Sequence, residues 1–366
     1  MFHSTDTRTD ICGPQKGRKH LIRDPVLFAP PRDQAPNIIL GTDTDHTRFR
    51  RALGFSFSDS ALREQEPLVQ SYCNLLISRL NDQFSGQPEA QIDIVRWLNF
   101  TTFDIVGDLV FSESFHALEK GEYHEWMSGL FKAMKVIVLI QSASAYPIID
   151  MFLTGLLKRV PAIQRARARN RNYTIDKVTR RLESKADHKD FMRYVQMVIY
   201  FHLANITSHI IRHNDERGLT KGELVSNSSI LIMAGSETTA TCMSGLIFLL
   251  TTNPEKMSAL QREVRSAFKS QEDMTFANEG KLPYLHACLQ EALRIYPPAP
   301  QTFARYTPPE GIAIDGQFVP GNVNTHWLIT KHSADNSRFQ SEFTNLLLST
   351  AKETSRIPCL SSRKDG

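Results

Sequence analysis

Nowhere in the 366 residues do eighteen apolar side chains follow one another, so no membrane span is expected. The opening stretch, Met1–Asp10, is polar and has no apolar core of the kind a signal peptide needs. Cysteine is sparse. Its five copies, at 12, 73, 242, 288 and 359, include no Cys-x-x-Cys pair, which argues against a zinc site or a disulfide framework and suits a reducing compartment. Charge of one sign is also scarce: 43 basic residues against 39 acidic ones leave +4, too little to argue for nucleic acid. A mildly basic surface would suit an acidic redox partner or an anionic membrane. What remains is ordinary globular material, 41% hydrophobic and 22% charged, long enough for one large core or two modest domains.

One stretch dominates what is present. Ser229–Leu250 is apolar nearly all round, which predicts a buried central helix. Its middle departs from that pattern. Gly235 is a poor helix former, and Ser236, Glu237, Thr238, Thr239 and Thr241 place a carboxylate and hydroxyls inside an apolar rod. A threonine hydroxyl there can bond the carbonyl one turn back and, beside a glycine, open the backbone ladder. An acid and an alcohol at such an opening suit proton delivery to a buried reactive centre. On these residues alone, a core helix with a satisfied polar stretch stands beside that reading.

A second motif lies downstream, Glu291-Ala-Leu-Arg294-Ile-Tyr-Pro-Pro. Glu291 and Arg294 are three apart, so they share a helix face and can form a two-point ion pair. With Ala234-Gly-Ser-Glu-Thr-Thr239 before it, the ordered set resembles the cytochrome P450 family. The phrases Phe57-Ser58, Ala61-Leu-Arg-Glu-Gln-Glu-Pro67 and Ala234–Thr241 are similar to its fungal secondary-metabolism branch, the isotrichodermin and versicolorin type of oxidase. The resemblance covers about residues 10 to 340. It implies a mainly α fold with small β elements, here incomplete: the N-terminal anchor and first sheet and the C-terminal haem-thiolate loop are missing from the pattern. It further implies a haem cofactor, a small lipophilic substrate such as a terpenoid or polyketide, and electrons from NADPH-cytochrome P450 reductase. Fungal members work on the cytoplasmic side of the endoplasmic reticulum; without an anchor the chain would stay in the cytosol. No nucleic-acid partner and no transmembrane segment are expected.

The resemblance also assigns roles. Glu237 and Thr238 would relay protons, while Ala234 and Gly235 would leave room for dioxygen. His46, Arg50 and Arg305 fall where relatives place donors to the haem carboxylates, a task suited to the planar arginine fork. His46 and Arg50 also read as a solvated basic helix face. The Glu291–Arg294 pair would lock the core around the cofactor. A haem iron in this family takes a cysteine thiolate as its ligand. The expected loop, Phe-x-x-Gly-x-Arg-x-Cys, is not matched at Cys359, where Lys352, Ser355 and Ile357 occupy the phenylalanine, glycine and arginine positions. A truncated, non-catalytic remnant is therefore the alternative to an active enzyme.

Local signals place the other elements. Helices are expected over 45–54, 62–84, 92–110, 123–140, 148–160, from Pro254 to about Phe268 with Glu263 and Arg265 outward, and over 282–296. Arg165–Arg171 is a basic run on a helix, read as a solvated face. Thr220-Lys-Gly-Glu223 has the form of a capping box. Ile312–Gly321 alternates around Asp315-Gly316, a hairpin signal. Phe131, Ile137 and Met233 could line a pocket or simply pack in a core. The expected organisation is one partial domain over 1–366 with two irregularities. Residues 195–209 split a phrase that runs together in relatives, and read either as a retained intron or as a real loop or helix extension. Residues 344–366 depart from the family text, as a shifted reading frame after Phe343 would explain.

Overall fold

A computed structural model describes residues 10–13, 21–24, 34–85, 91–132, 136, 146, 148, 151, 153, 155, 159–184, 190–193, 219–300 and 304–325. Its main elements, in chain order, are β1 (Ile22–Arg23), α1 (Asp43–Gly54), α2 (Asp59–Phe84), α3 (Ile94–Phe111), α4 (Ala117–Lys120), α5 (Pro161–Glu183), α6 (Lys221–Thr251), α7 (Pro254–Ala267), α8 (Pro283–Ile295), β2 (Arg305–Tyr306), β3 (Ile312–Ile314), β4 (Gln317–Val319) and β5 (Asn324–Thr325). The fold is mainly α with small β elements. The chain gathers into two compact units, one of residues 23–240 and one of residues 1–22 with 241–366. Residues 195–209 and 344–366 lie outside the described set, as do Ile137 and Cys359.

The unit of residues 23–240 is built on an aromatic core. Phe49, Phe100, Phe103, Phe115, Trp126 and Ile232 are all buried there. Phe115 lies nearly parallel to Trp126, ring centres 5.4 Å apart, and meets Phe103 at 4.5 Å. Such ring pairs add about 0.5–1.5 kcal/mol each beyond the area they bury. Helix α3 starts at Asp93, whose carboxylate accepts from the Arg96 amide at 3.1 Å. It stops at Ser112, held in the left-handed conformation at φ 55°. That serine also donates to Asp190, which is ion-paired with Arg181 of α5 through a further hydrogen bond of 2.9 Å from Nη2. Phe131 packs partly buried against this core.

Helix α6 begins with the capping box its sequence announces. The Glu223 amide donates to Thr220 Oγ1 at 3.2 Å, and the Glu223 carboxylate accepts from the Thr220 amide at 2.8 Å. Most of its buried residues fall on one line four apart, Leu224, Ser228, Ile232, Ser236 and Ala240, with Glu223 and Asn227 buried beside its start and Leu250 near its end. The expectation of burial all round is thus corrected to a stripe. Met233 is half-buried, and Phe248 is 66% exposed. By length and composition alone α6 is also long and apolar enough to cross a membrane, a test that core helices pass as well. Two carboxylates within it, Glu223 and Glu237, do not favour that use.

The second unit is lighter. Leu250, Ala259, Leu260, Tyr284 and Cys288 form one small cluster, and Ile11, Leu21, Ile314 and Val319 another. Helix α8 starts at Pro283 with no side-chain cap of its own. Glu263 of α7 supplies one instead, accepting from the amides of Tyr284 at 2.7 Å and Leu285 at 2.9 Å. Glu263 therefore points inward, contrary to the sequence reading, because two orphan amides need an acceptor. Strands β3 and β4 pair antiparallel with Ile314 opposite Gln317. Their two-residue turn holds both Asp315 (φ 53°) and Gly316 (φ 73°) in the left-handed region, as such a hairpin requires. Strands β2 and β5 also pair antiparallel, Arg305 opposite Thr325.

Candidate active site

Four of the candidate residues lie together on one helix. Thr238 Oγ1 donates to the Ala234 carbonyl one turn back at 2.6 Å, and Ser236 Oγ donates to the Ile232 carbonyl at 2.7 Å. These back-bonds form without a break: α6 is α-helical throughout 221–251, so the opened ladder expected at Gly235 is not seen. The residues divide between two faces. Ser236 is buried in the packing stripe, whereas Ala234 and Thr238 are exposed. Gly235 sits against α3, where an added Cβ would come within 3.0 Å of Val106 Cγ2. Its lack of a side chain thus serves helix packing at that point. Glu237 is half-buried between these faces, and burial pushes its carboxyl above the ordinary value of 4.5. A carboxyl held that way sits closer to the range in which it can both give and take a proton.

Helix α1 presents the two basic candidates differently. Arg50 is exposed and His46 half-buried. Between them, Arg48 turns inward and pairs with Glu223 at the start of α6, Nη1 to Oε2 3.0 Å and Nη2 to Oε1 2.5 Å. Its Nη2 also reaches Asp45 Oδ1 at 3.0 Å. The guanidinium's own titration is pushed up, first by the hydrogen bond to Glu223. Arg48 was not among the sequence candidates. The spacing Asp45-x-x-Arg48 carries a hint of it, but the partner Glu223 is 175 residues away.

Glu291, Arg294 and Arg305 belong to the other unit. Arg294 Nε and Nη2 donate to the two oxygens of Glu291 at 2.6 and 2.7 Å, a two-point pair within one helix turn. That hydrogen bond also raises the arginine's pKa. Arg305 Nη1 donates to the Leu21 carbonyl at 3.2 Å. Its Nε is buried and meets no acceptor among the described residues. An unmet guanidinium N–H is costly unless something accepts from it, and a carboxylate is the natural acceptor.

Within its own unit, Arg305 thus offers an unmet N–H to which a carboxylate such as a haem propionate could be an acceptor; within the other, Glu237 and Thr238 give α6 a polar flank. The axial ligand is another matter. Among the described residues, no group of three or more His, Cys, Asp or Glu side chains could hold a metal. Burial pushes the Cys288 thiol up to about 11 and raises that of Cys242, so neither is poised as a thiolate. Cys73 is raised by burial as well. An open depression at the start of α2, lined by Asp59, Ser60, Arg63, Glu64 and Pro67, includes none of the site residues.

Comparison with known proteins extends this picture. The Cytochrome P450 family model matches residues 21–341. Cytochrome P450 monooxygenase lcsI of Purpureocillium lilacinum is 36% identical over 327 residues, covering 88% of this chain and 60% of that protein. The trichothecene C-4 hydroxylase of Trichoderma arundinaceum is 37% identical over 337 residues, covering 90% of this chain and 64% of that protein. The chain thus spans about three-fifths of the length of the curated relatives it matches. Among solved structures, retinoic acid-bound cyanobacterial CYP120A1 superposes with a TM-score of 0.62 at 18% identity, over 90% of this chain and 67% of that one. That likeness supports the fold, a cytochrome P450 architecture. The sequence matches go further, to fungal monooxygenases of secondary metabolism and to haem as the family's cofactor. With a match running through both helical motifs and on past the hairpin, the chain belongs to the cytochrome P450 family.

Proposed function

We propose that this chain serves a haem-thiolate monooxygenase that oxidises a lipophilic fungal secondary metabolite, a terpenoid or polyketide. The observation that carries the reading is the α6 flank, where Thr238 and Ala234 stand exposed one turn apart beside a half-buried Glu237 whose carboxyl is raised. Arg305, His46 and Arg50 are the residues that would hold the cofactor's carboxylates. Bound haem supplies the activation of dioxygen, the chemistry for which the protein provides orientation and protons. Glu237 would hold and pass a proton at its carboxyl oxygen, and Thr238 would steer one through Oγ1. Breaking its bond to the Ala234 carbonyl frees that hydroxyl to turn. The Glu291–Arg294 pair stiffens α8. Electrons would come from NADPH-cytochrome P450 reductase, which places the reaction on the cytoplasmic face of the endoplasmic reticulum or in the adjoining cytosol.

A second reading, a non-catalytic relative of such an enzyme, rests on the cysteines. Cys242 and Cys288 are held as thiols by burial, and the residues around Cys359 depart from the ligand loop. One experiment separates the two. The protein is loaded with haem, reduced and exposed to carbon monoxide. A Soret band shifted to the red, as thiolate ligation produces, supports the monooxygenase. Haem binding with an unshifted band identifies the relative without ligand. Sequencing of the transcript tests the gene reading: a dominant message that retains the codons for 195–209 rules out an intron there.

A further inference from the structure

We infer that Arg48 is a positioning residue, which keys the helix carrying His46 and Arg50 to the start of the helix carrying Glu237 and Thr238. Its guanidinium joins two capping boxes. In α1, the Asp45 amide donates to Thr42 Oγ1 at 3.2 Å, while the Asp45 carboxylate accepts from the Thr42 amide at 3.2 Å and its hydroxyl at 2.8 Å. In α6, Thr220 and Glu223 are bonded the same way. Arg48 donates to the carboxylate of each box, twice to Glu223 and once to Asp45. Each acid thus performs two tasks, closing its own helix start and gripping the shared arginine. Both carboxyls titrate low. Burial works to raise each, and the hydrogen bonds outweigh it, led by Thr42 for Asp45 and by Arg48 for Glu223.

Helix geometry turns this clasp into control of the site. Residues two apart stand on roughly opposite sides of an α-helix, and residues four apart share a side. With Arg48 held inward against α6, His46 and Arg50 are presented together on the face turned away from Glu223. The clasp therefore sets the rotation of α1 about its own axis. Neighbouring contacts hold the same register. Asn37 Nδ2 donates to Ser226 Oγ at 3.1 Å, and the Ile38 amide donates to Asn227 Oδ1 at 2.9 Å. Gly41 lets the chain turn into α1, since an added Cβ there would lie 2.8 Å from Asp45 Cβ and 2.9 Å from the Asn37 carbonyl oxygen. Lysine could not replace Arg48, because a single ammonium cannot present a fork to two carboxylates at once.

The inference rests on the proposed role of His46 and Arg50 toward haem, and two readouts keep the two ideas apart. The first is amide hydrogen exchange over residues 42–53 and 219–232, measured by mass spectrometry. Arg48→Ala is expected to speed exchange in both segments together by about tenfold, the scale of one charge-assisted hydrogen bond, and Arg48→Lys to recover little of it. Faster exchange in only one segment, or in neither, overturns the clasp. The second is the haemin affinity, followed by Soret absorbance. Arg48→Ala is expected to weaken it by about five- to tenfold, with little further loss when Arg50→Ala is already present, because Arg48 acts through that face. Additive losses would overturn the positioning role. If the unmodified protein takes up no haemin, the proposed function fails, and the exchange rates still decide whether Arg48 couples the two helices.

Discussion

Two arginine–carboxylate pairs show how depth changes the meaning of one interaction. Arg181–Asp190, in the unit of residues 23–240, keeps only 3% and 4% of its side-chain surface in contact with solvent, whereas Arg294–Glu291 keeps 13% and 17%. The deep pair joins α5 to the short turn at 190–193 and to the end of α3 through Ser112, and the Arg193 amide also donates to Asp190 at 2.8 Å. The shallow pair lies within one turn of one helix. Removing one partner of a buried pair leaves a charge with no water to solvate it, so Arg181→Ala is expected to lower stability by about 3–5 kcal/mol in urea denaturation. Arg181→Met combined with Asp190→Leu removes both charges and should cost far less. A loss below about 1 kcal/mol for the single variant would mean that the pair is as solvated as the surface one.

Two glycines sharpen the same contrast between a tightly filled interior and a looser edge. A Cβ on Gly107 would fall within 2.5–2.6 Å of the Phe115 ring, which is itself locked against Phe103 and Trp126. Gly107→Ala is expected to cost about 1–3 kcal/mol, the usual penalty for overfilling a core. On Gly235 the same atom meets only the Val106 methyls, at 3.0 and 3.4 Å. Gly235→Ala should cost less, and Val106→Ala in the same chain should recover part of the loss. If the two glycine variants shift the denaturation midpoint equally, the packing difference between these positions is illusory.

The next effect is smaller and belongs to the lighter unit. Glu263→Ala removes the acceptor for two amides at the start of α8 and is expected to cost about 1 kcal/mol, within the range for a lost helix cap. Glu263 also shows what the sequence could reveal. Devices that close within a few residues were legible: the Thr220–Glu223 box, the Asp315-Gly316 hairpin and the spacing that lets Arg294 reach Glu291. Devices that close across the chain were not. Glu263 meets amides 21 and 22 residues on, and Arg48 meets a carboxylate 175 residues on. Nothing in the local pattern marks those partners, so Glu263 looked solvent-facing and Arg48 looked like one more member of a basic turn. The same limit applied to burial. Composition made α6 look apolar on all sides, and only packing singled out the line from Leu224 to Ala240 as its inner face.

The smallest effect sets Glu237 against Glu223, two acids on the same helix with opposite shifts. Glu237 is raised by burial, so its protonated form suits the fold: its contribution is full below the unfolded value and is lost as pH rises through the folded one. Glu223 is lowered, since hydrogen bonds from Arg48 and Thr220 outweigh burial. Its contribution is present above the ordinary value of 4.5 and is lost as pH falls through the folded one. Urea midpoints measured from pH 3 to 7 should therefore fall at the acid end through Glu223 and sag slightly at the upper end through Glu237. Glu237→Gln should reduce only the upper sag, which Asp104, also raised by burial, shares, and Glu223→Gln only the acid fall, which Asp45 shares. If Glu237→Gln leaves the upper limb unchanged, the carboxyl on the exposed flank is solvated like any surface acid and has no special readiness to hold a proton. The flank would then handle protons through hydroxyls such as that of Thr238.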